Sequence, residues 1–349
     1  MSLDAFFEFE PRDWDTAPDG TVRFAVVGCG GFARDVVLPA LDAADYCEPT
    51  VAVSGTDATR TALADRYDTV GIDYDAYAAG EATDAYDAVY LATPNRLHLP
   101  HAETAARLGK PVVSEKPLEA TVERAERMVD ACADAGVLLA TAYRMQSDPA
   151  VLALRDFLQR GGVGDVTALA GDFTVDALAE DRGPDQWRLD PELAGGGALM
   201  DLGVYPLNLA RFLLGTEPEW VDGHTRGSGP YADVDEHVAF HVGFPDAFGS
   251  FSASFTGQTN ASFRVQGTEG NVVVRDAFQP NRPRTMVVER GDERVTFDGR
   301  GGGEVREMCD RVAHAVLTGE SVGFDGADGL ADVRLMAQVY AAAEGERGE

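Results

Sequence analysis

Six residues, Gly28-Cys29-Gly30-Gly31-Phe32-Ala33, constrain this chain more than any others. They follow an apolar run at 22–27 that reads as a strand, and they open a helical pattern over 31–44. Gly-x-Gly-x-x-Ala in that context is a dinucleotide-binding fingerprint. The first glycine permits a tight turn, the second lets the backbone approach a pyrophosphate, and the alanine lets helix and strand pack closely. A helix N-terminus then favours the anion. The loop therefore commits the first part of the chain to a nucleotide fold.

The surrounding pattern agrees. Strand-like runs at 51–53, 88–93, 112–113 and 138–141 alternate with helical patterns at 56–66, 98–108 and 121–135. Alternation of this kind implies right-handed βαβ units and a parallel sheet. After residue 148 the texture changes. A helix at 149–160 leads into strands expected at 166–174, 220–226, 237–244, 249–255, 263–266, 272–275, 286–289 and 295–297, and two helices follow at 305–317 and 330–344. Short strands with tight turns, such as Gly267-Thr268-Glu269-Gly270, imply antiparallel pairing. The expected fold class is α/β: a Rossmann doubly wound parallel sheet, then an α+β domain with a large, mostly antiparallel open sheet. The expected boundaries are an N-terminal arm at 1–20, a Rossmann domain at 21–142, and a substrate-binding and oligomerisation domain at 143–349. The arm holds Phe6, Phe7, Phe9 and Trp14, too many aromatics for a solvated tail.

The cofactor region carries a choice between NAD and NADP. The second strand ends in Val53-Ser54-Gly55, with no acid where one would hold a ribose 2′-hydroxyl and repel a 2′-phosphate. Ser54 can donate to a phosphate and Arg60 lies near, which favours NADP over NAD; Asp57 is the residue that would serve a ribose instead. Thr93-Pro94-Asn95 ends the next long strand, where a doubly wound sheet lines its ligand crevice.

Composition matters most through lysine. Of 29 basic residues only Lys110 and Lys116 are lysines, leaving 27 arginines. Lys116 stands in Ser114-Glu115-Lys116-Pro117, directly after a buried-strand pattern. An ammonium is a compact charge whose pKa moves readily, whereas a guanidinium stays charged and forked. A lysine kept here points to chemistry. The second dense motif is Gly195-Gly196-Gly197-Ala198-Leu199-Met200-Asp201-Leu202-Gly203-Val204-Tyr205-Pro206-Leu207-Asn208. Asp201 and Tyr205 are four apart, on one face of any helix, and in an apolar run both need partners. A plainer reading has Asp201 capping a helix and Tyr205 packing.

Taken in order, Gly28-x-Gly30-x-x-Ala33, Thr93-Pro94-Asn95, Glu115-Lys116-Pro117, Tyr143-Arg144, Trp187-Arg188 and Asp201-x-Gly203-x-Tyr205 resemble the glucose–fructose oxidoreductase, inositol dehydrogenase and rhizopine catabolism (Gfo/Idh/MocA) family. Tyrosine at 205, Trp187-Arg188-Leu189 and the acidic composition resemble its sugar-oxidising members from salt-loving microbes. The resemblance implies oxidation of an aldose, D-xylose preferred, at C1 to the aldonolactone with NADP. It implies Lys116, Tyr205 and Asp201 as catalytic residues, with Lys116, Arg188, Asp201 and Tyr205 at the sugar. It implies cofactor contacts from Gly28 to Ala33 and from Ser54, Gly55, Arg60, Thr93, Pro94, Asn95, His98, Glu115, Lys116, Arg144, Trp187 and Arg188. Tyr205 would take the C1 hydroxyl proton. A free phenol, with a pKa of about 10, does this poorly at neutral pH; a neighbouring ammonium favours the phenolate. Relatives often hold the 2′-phosphate with a lysine near position 59; here Thr59 precedes Arg60. Two other readings compete: a glucose–fructose or dihydrodiol type oxidoreductase, and a non-catalytic dinucleotide-sensing regulator that would need neither Lys116 nor Tyr205.

The remaining signals bound the setting. Net charge is −30, from 59 acidic and 29 basic residues, at 45% hydrophobic content. A chain so acidic offers no patch to displace phosphate counterions, so nucleic acid is excluded as a partner. Spread over a globular sequence, the charge reads as adaptation to high salt, where the Debye length falls to about 3 Å at 1 M. Cys29, Cys47, Cys132 and Cys309 form no Cys-x-x-Cys pair, which suits free thiols in a reducing cytoplasm. No run is apolar for long enough to span a membrane. His237 and His241 share a strand face but have no third ligand, so no metal is expected. The sequence leaves open whether Gln258 and Asn260 line a pocket. An open sheet face calls for covering, so a homodimer or homotetramer is expected.

Overall fold

The computed structural model describes residues 3, 12, 14, 18–179 and 183–345. The chain divides into two compact units: Trp14–Arg144 with Val305–Val333, and Met145–Glu304 with the chain from Arg334. The first unit thus includes residues 305–333, which the sequence reading groups with the C-terminal domain.

The first unit is built on a six-stranded parallel sheet. Its strands are β1 (Val22–Val27), β2 (Cys47–Val53), β3 (Val70–Ile72), β4 (Ala88–Leu91), β5 (Val112–Ser114) and β6 (Leu139–Thr141), in the order β3-β2-β1-β4-β5-β6. The order reverses between β1 and β4, which makes the carboxyl ends of those two strands the switch point where such sheets bind ligands. β1, β4, β5 and β6 are apolar and buried along almost their whole length, as strands covered on both faces must be. The connecting helices are α1 (Leu38–Asp42), α2 (Asp57–Tyr67), α3 (Tyr74–Ala79), α4 (His98–Arg107) and α5 (Val122–Asp134). A π-helical turn at Ala33–Val37 precedes α1. Thr121 caps α5, its hydroxyl accepting from the Arg124 amide. β3 and α3 are additions to the sequence reading. β3 is three residues long, contains Gly71, and leaves Val70 49% exposed at the sheet edge, so it lacks any apolar period.

The arm expected at 1–20 lies for the most part outside the described residues. Of its aromatics Trp14 is described, and it packs on its own chain, with ring centroids 4.4 Å from His314 and 6.0 Å from Tyr46.

The second unit holds an eight-stranded sheet of β7 (Val166–Thr174), β8 (Trp220–Arg226), β9 (His237–Gly243), β10 (Phe248–Ser254), β11 (Asn260–Gly267), β12 (Gly270–Arg275), β13 (Arg284–Arg290) and β14 (Glu293–Arg300). The order is β14-β13-β12-β11-β7-β10-β9-β8, antiparallel except for the β7–β10 pair. Alternate residues of β7, β9, β10 and β11 are buried, which places Phe173, Phe240, Phe251 and Phe263 on one face. Helices α6 (Pro149–Gln159), α7 (Pro191–Ala194) and α8 (Val204–Leu214) belong to this unit, while α9 (Glu304–Thr318) and α10 (Gly326–Gly345) end the described chain.

A fully buried charge network closes the start of the second unit. Asp148 caps α6, its Oδ1 accepting from the amides of Ala150 at 2.9 Å and Val151 at 3.1 Å. Its other oxygen accepts from Gly302 and from the guanidinium of Arg284. Arg284 also pairs with Glu304 at 3.4 Å and donates to the Ala277 carbonyl at 2.9 Å. All three charged side chains are completely shielded from solvent. Burial pushes the Asp148 carboxyl up, against the opposing charge of Arg284.

Candidate active site

The fingerprint loop has the geometry its residues require. Gly28 has φ 91°, and its amide is held by the Val53 carbonyl at 3.0 Å. A Cβ there would meet Thr93 Cγ2 at 2.7 Å and the Ala92 carbonyl at 2.8 Å, so only glycine fits. A Cβ built on Gly30 meets nothing within 4 Å, which leaves open space at an exposed backbone for a phosphate to approach. Gly31 is also exposed, Phe32 is half-buried, and Ala33 is buried beneath the turn. Cys29 contributes its backbone alone. Its thiol lies 3.5 Å from the Val53 carbonyl oxygen, and burial pushes its pKa up to about 12.

At the end of β2, Ser54 and Gly55 turn the chain towards α2. Arg60 donates to the Ser54 carbonyl and pairs with Asp57. Asp57 therefore has its carboxylate on the Arg60 guanidinium, beside the turn that follows β2. These residues fit a phosphorylated dinucleotide.

β4 leads into Thr93, Pro94 and Asn95, with Thr93 and Asn95 buried. His98, expected among the cofactor contacts, is fully buried, with Nε2 2.9 Å from the Thr93 carbonyl oxygen and Nδ1 3.1 Å from that of Leu118. Its ring joins the segment after β4 to the segment after β5, and burial pushes its pKa down. The placement makes it a brace between two loops, because both nitrogens are turned to backbone.

β5 delivers Glu115 and Lys116, and the Lys116–Pro117 peptide is cis. Glu115 Oε1 accepts from the Tyr90 hydroxyl at 2.7 Å, and Oε2 accepts from the Lys116 amide at 3.3 Å. Burial raises the Glu115 carboxyl above its usual range; the Tyr90 hydrogen bond and the charges of Lys116 and Arg144 oppose that rise. Arg144, directly after β6, is buried.

The second unit carries the other expected residues. Trp187 and Arg188 sit in a 3₁₀ turn at Trp187–Leu189. The Arg188 guanidinium lies over the Trp187 ring at 4.6 Å, and its Nε donates to Asp201 Oδ2 at 3.0 Å. Asp201 thus serves an arginine and caps no helix. It belongs to a π-helical turn, Leu199–Gly203, that runs straight into α8, so Pro206 falls in the first turn of α8, where proline is tolerated. Tyr205, half-buried, meets Phe173 edge-on at 5.4 Å and Phe278 at 5.8 Å. Aromatic neighbours at these separations fix a ring. One turn along α8, Asn208 accepts from Gln146 at 3.1 Å.

The glycine run before this turn is a support. Asp235 accepts from the amides of Gly197 at 2.6 Å and Leu199 at 2.7 Å, and from the Tyr340 hydroxyl at 2.6 Å. A Cβ on Gly196 would strike Tyr340, and one on Gly197 would strike the Asp235 backbone. Sequence reasoning does not single out Asp235 or Tyr340. Neither belongs to a motif, and the contact spans 105 residues.

His237 and His241 each place Nδ1 on a serine of the neighbouring strand, Ser254 at 2.8 Å and Ser250 at 3.0 Å. Among the described residues no three His, Cys, Asp or Glu side chains are grouped to hold a metal. Asn260 donates to Asp172, and with Gln258, Thr259, Asp276, Gln279 and Arg282 it lines a cavity of about 570 Å³ in the second unit. All four cysteines are free and buried.

A glycine-rich loop at the switch point, with a lysine at the end of β5 in the same sheet, defines a nucleotide-dependent oxidoreductase. Residues 22–143 match the family described as an oxidoreductase family with an NAD-binding Rossmann fold, and residues 151–273 match its GFO/IDH/MocA C-terminal domain. The chain belongs to the Gfo/Idh/MocA oxidoreductase family. It is 42% identical over 354 residues to a D-xylose 1-dehydrogenase [NADP(+)] of Haloarcula marismortui, covering 99% of this chain and 98% of that protein. It is 32% identical to a D-xylose 1-dehydrogenase (NADP(+)) 2 of Haloferax volcanii, over 93% of this chain and 98% of that one. Among solved structures it is similar to an aldose-aldose oxidoreductase from Caulobacter crescentus, with TM-score 0.87 and 29% identity over 94% of this chain and 98% of that chain.

Proposed function

We propose that this chain is an NADP-dependent aldose 1-dehydrogenase that prefers D-xylose and oxidises it at C1 to the aldonolactone. The observation that carries the reading is the 42% identity, across 99% of the chain, to a protein named for that activity with NADP. The open backbone at Gly30, the absence of an acid after β2 and the placing of Arg60 support the cofactor.

The loop from Gly28 to Ala33 would hold NADP, which when bound would supply the hydride acceptor for C1 of the sugar. The chain's own residues manage the proton and the pose. Tyr205 Oη takes the proton of the C1 hydroxyl, its ring steadied by Phe173 and Phe278. Lys116, a compact cation at the end of β5, is the second catalytic group of this reading. Asp201, held by Arg188, accepts a hydrogen bond from a sugar hydroxyl and orients the ring. The sugar thus loses a hydride from C1 and a proton from the C1 oxygen, and the carbonyl that forms makes the product a lactone, which opens in water.

A panel of aldoses with NADP and with NAD, in molar salt, tests the reading. D-xylose with NADP should give the highest kcat/KM, and failure of every pentose and hexose to reduce either cofactor would favour a dinucleotide-sensing regulator. NADPH found free in solution during turnover separates a dehydrogenase from a cofactor-retaining aldose-aldose type. Cofactor choice has its own check. Arg60→Ala should raise KM for NADP about tenfold or more while leaving that for NAD nearly unchanged, as loss of a charge-assisted contact of ~1.5–3 kcal/mol would. An equal change for both cofactors would remove Arg60 from the phosphate.

We further infer a homodimer or homotetramer in the cytoplasm of an organism adapted to high salt. Exposed Phe248 and Trp220, 6.2 Å apart, support association, and free buried cysteines suit a reducing compartment. No described helix is long and apolar enough to cross a membrane. Light scattering and near-ultraviolet circular dichroism during dialysis from molar to low salt should show an oligomer that loses its native signal. A monomer in molar salt counts against the first inference, and full retention of the signal counts against the second.

A further inference from the structure

Lys116 can assist a phenol only if something holds its ammonium charged and in place. We propose that Tyr90 is a positioning residue for Lys116, acting through Glu115. The proposal rests on the reading of Lys116 given above. Tyr90 lies within β4, fully buried, and donates its hydroxyl to Glu115 Oε1 at 2.7 Å. The Glu115 amide is fixed by the Leu91 carbonyl at 2.9 Å, and Glu115 Oε2 accepts from the Lys116 amide at 3.3 Å. Tyr90 pairs with Val113 in the parallel register of β4 and β5, so its side chain reaches two residues onward, past the end of β5. The carboxylate is thereby held at both oxygens, one by a neighbouring strand and one by the lysine's own backbone.

The titratable groups facing Glu115 are Tyr90 from β4, Lys116 beside it, Arg144 after β6 and Cys309 from α9. Cys309 is buried, which pushes its thiol up and keeps it neutral at physiological pH. One carboxylate therefore stands among two cations. Burial alone would drive that carboxyl towards its neutral acid. A hydroxyl donated to it favours the ionised form, and the ionised form stabilises the ammonium of Lys116. Removing the hydroxyl has a definite sign: Glu115 binds its proton at higher pH, and Lys116, short of counter-charge, releases its proton at lower pH. Tyr90 belongs to neither the nucleotide fingerprint nor the lysine motif, and the link to the lysine proposed for it runs through this carboxylate.

The scarcity of lysine makes the test direct. Reductive methylation with ¹³C-formaldehyde labels two lysine side chains besides the amino terminus, and Lys110→Arg leaves Lys116 as the one lysine signal. In cofactor-free protein, Tyr90→Phe should lower the Lys116 titration midpoint by about half a pH unit or more, and Glu115→Gln should lower it at least as far. Adding Tyr90→Phe to Glu115→Gln should change nothing further, because both act through one carboxylate. In turnover, Tyr90→Phe should move the acidic limb of kcat/KM to higher pH with KM for NADP unchanged. An unmoved Lys116 titration, or a Tyr90→Phe effect that persists in full in the Glu115→Gln background, overturns the proposal. The titration needs no substrate, so a protein that oxidised no aldose would end the functional reading while this inference was still decided by the spectra.

Discussion

Replacing Lys116 by alanine is expected to lower kcat about a hundredfold or more, the usual scale for losing positioned acid–base help. The argument has two parts. The chain keeps only two lysines, so the cation at the end of β5 stands where an arginine-rich sequence retained an ammonium. Its carboxylate neighbour is restrained by a buried tyrosine, an arrangement that a merely solvated lysine would not need. Lys116→Arg keeps the charge and loses the compact point donor, so it should recover little of the loss. Tyr205→Phe should fall by a similar factor, and the double variant should be barely slower than either single one, since residues that act as a unit are not additive. Steady-state rates with D-xylose and NADP, alongside fluorescence titration of NADPH binding, decide the matter. A kcat within twofold of wild type for Lys116→Ala would remove the lysine from the chemistry.

The largest stability effect is expected at Arg284. Arg284→Met deletes the cation that stands between two completely buried carboxylates, Asp148 and Glu304. Breaking such a pair by removing one partner costs about 3–5 kcal/mol, because the charges left behind have no water to solvate them. The loss should depend on pH with a stated sign. In the variant the buried Asp148 carboxyl binds its proton more readily than in the unfolded chain, so the penalty shrinks as pH falls and grows as it rises. Neutralising all three, Asp148→Asn with Arg284→Met and Glu304→Gln, should recover most of it, and the asparagine side chain would still accept from the first amides of α6. Urea unfolding in molar salt measures each variant. A single variant within ~1 kcal/mol of wild type, or a triple variant as weak as the single, would show that the network contributes little.

How much of this was legible depended on the distance over which each contact acts. The loop at Gly28–Ala33 was readable because its chemistry is local: a strand, a turn and a helix start within a dozen residues. The parallel sheet followed from alternation, and the mostly antiparallel sheet from short strands with tight turns. β3 was missed because three residues containing glycine, at an exposed edge, carry no period. α3 was missed because six residues make too short a helical pattern, although Asp73 caps it through the Ala76 amide at 2.8 Å. Partners were the least legible. Arg188 meets Asp201 across 13 residues, Tyr90 meets Glu115 across 25, and Asp235 supports Gly197 across 38. One clue was available: Tyr90 is a phenol inside a four-residue buried strand, and a buried hydroxyl must find an acceptor. His98 teaches the converse. Its position in the sequence suggested a ligand contact, while its two carbonyl neighbours show a brace.

The π-helical turn at Leu199–Gly203 has a consequence for how this chain tolerates change in length. Such a turn accommodates one residue more than an ordinary helical turn. Deleting a single residue from it would let the backbone close into a regular α-helix, with nothing lost in backbone pairing. Yet each residue of an α-helix advances about 100° around the axis and 1.5 Å along it. A deletion at Leu202 or Gly203 would leave Asp201 and Tyr205 three residues apart instead of four, and so change the angle between their side chains. Conservative exchanges of side chain within the five positions leave the bearing of the tyrosine intact, whereas a one-codon deletion at Leu202 or Gly203 would re-aim it relative to the aspartate without breaking the helix.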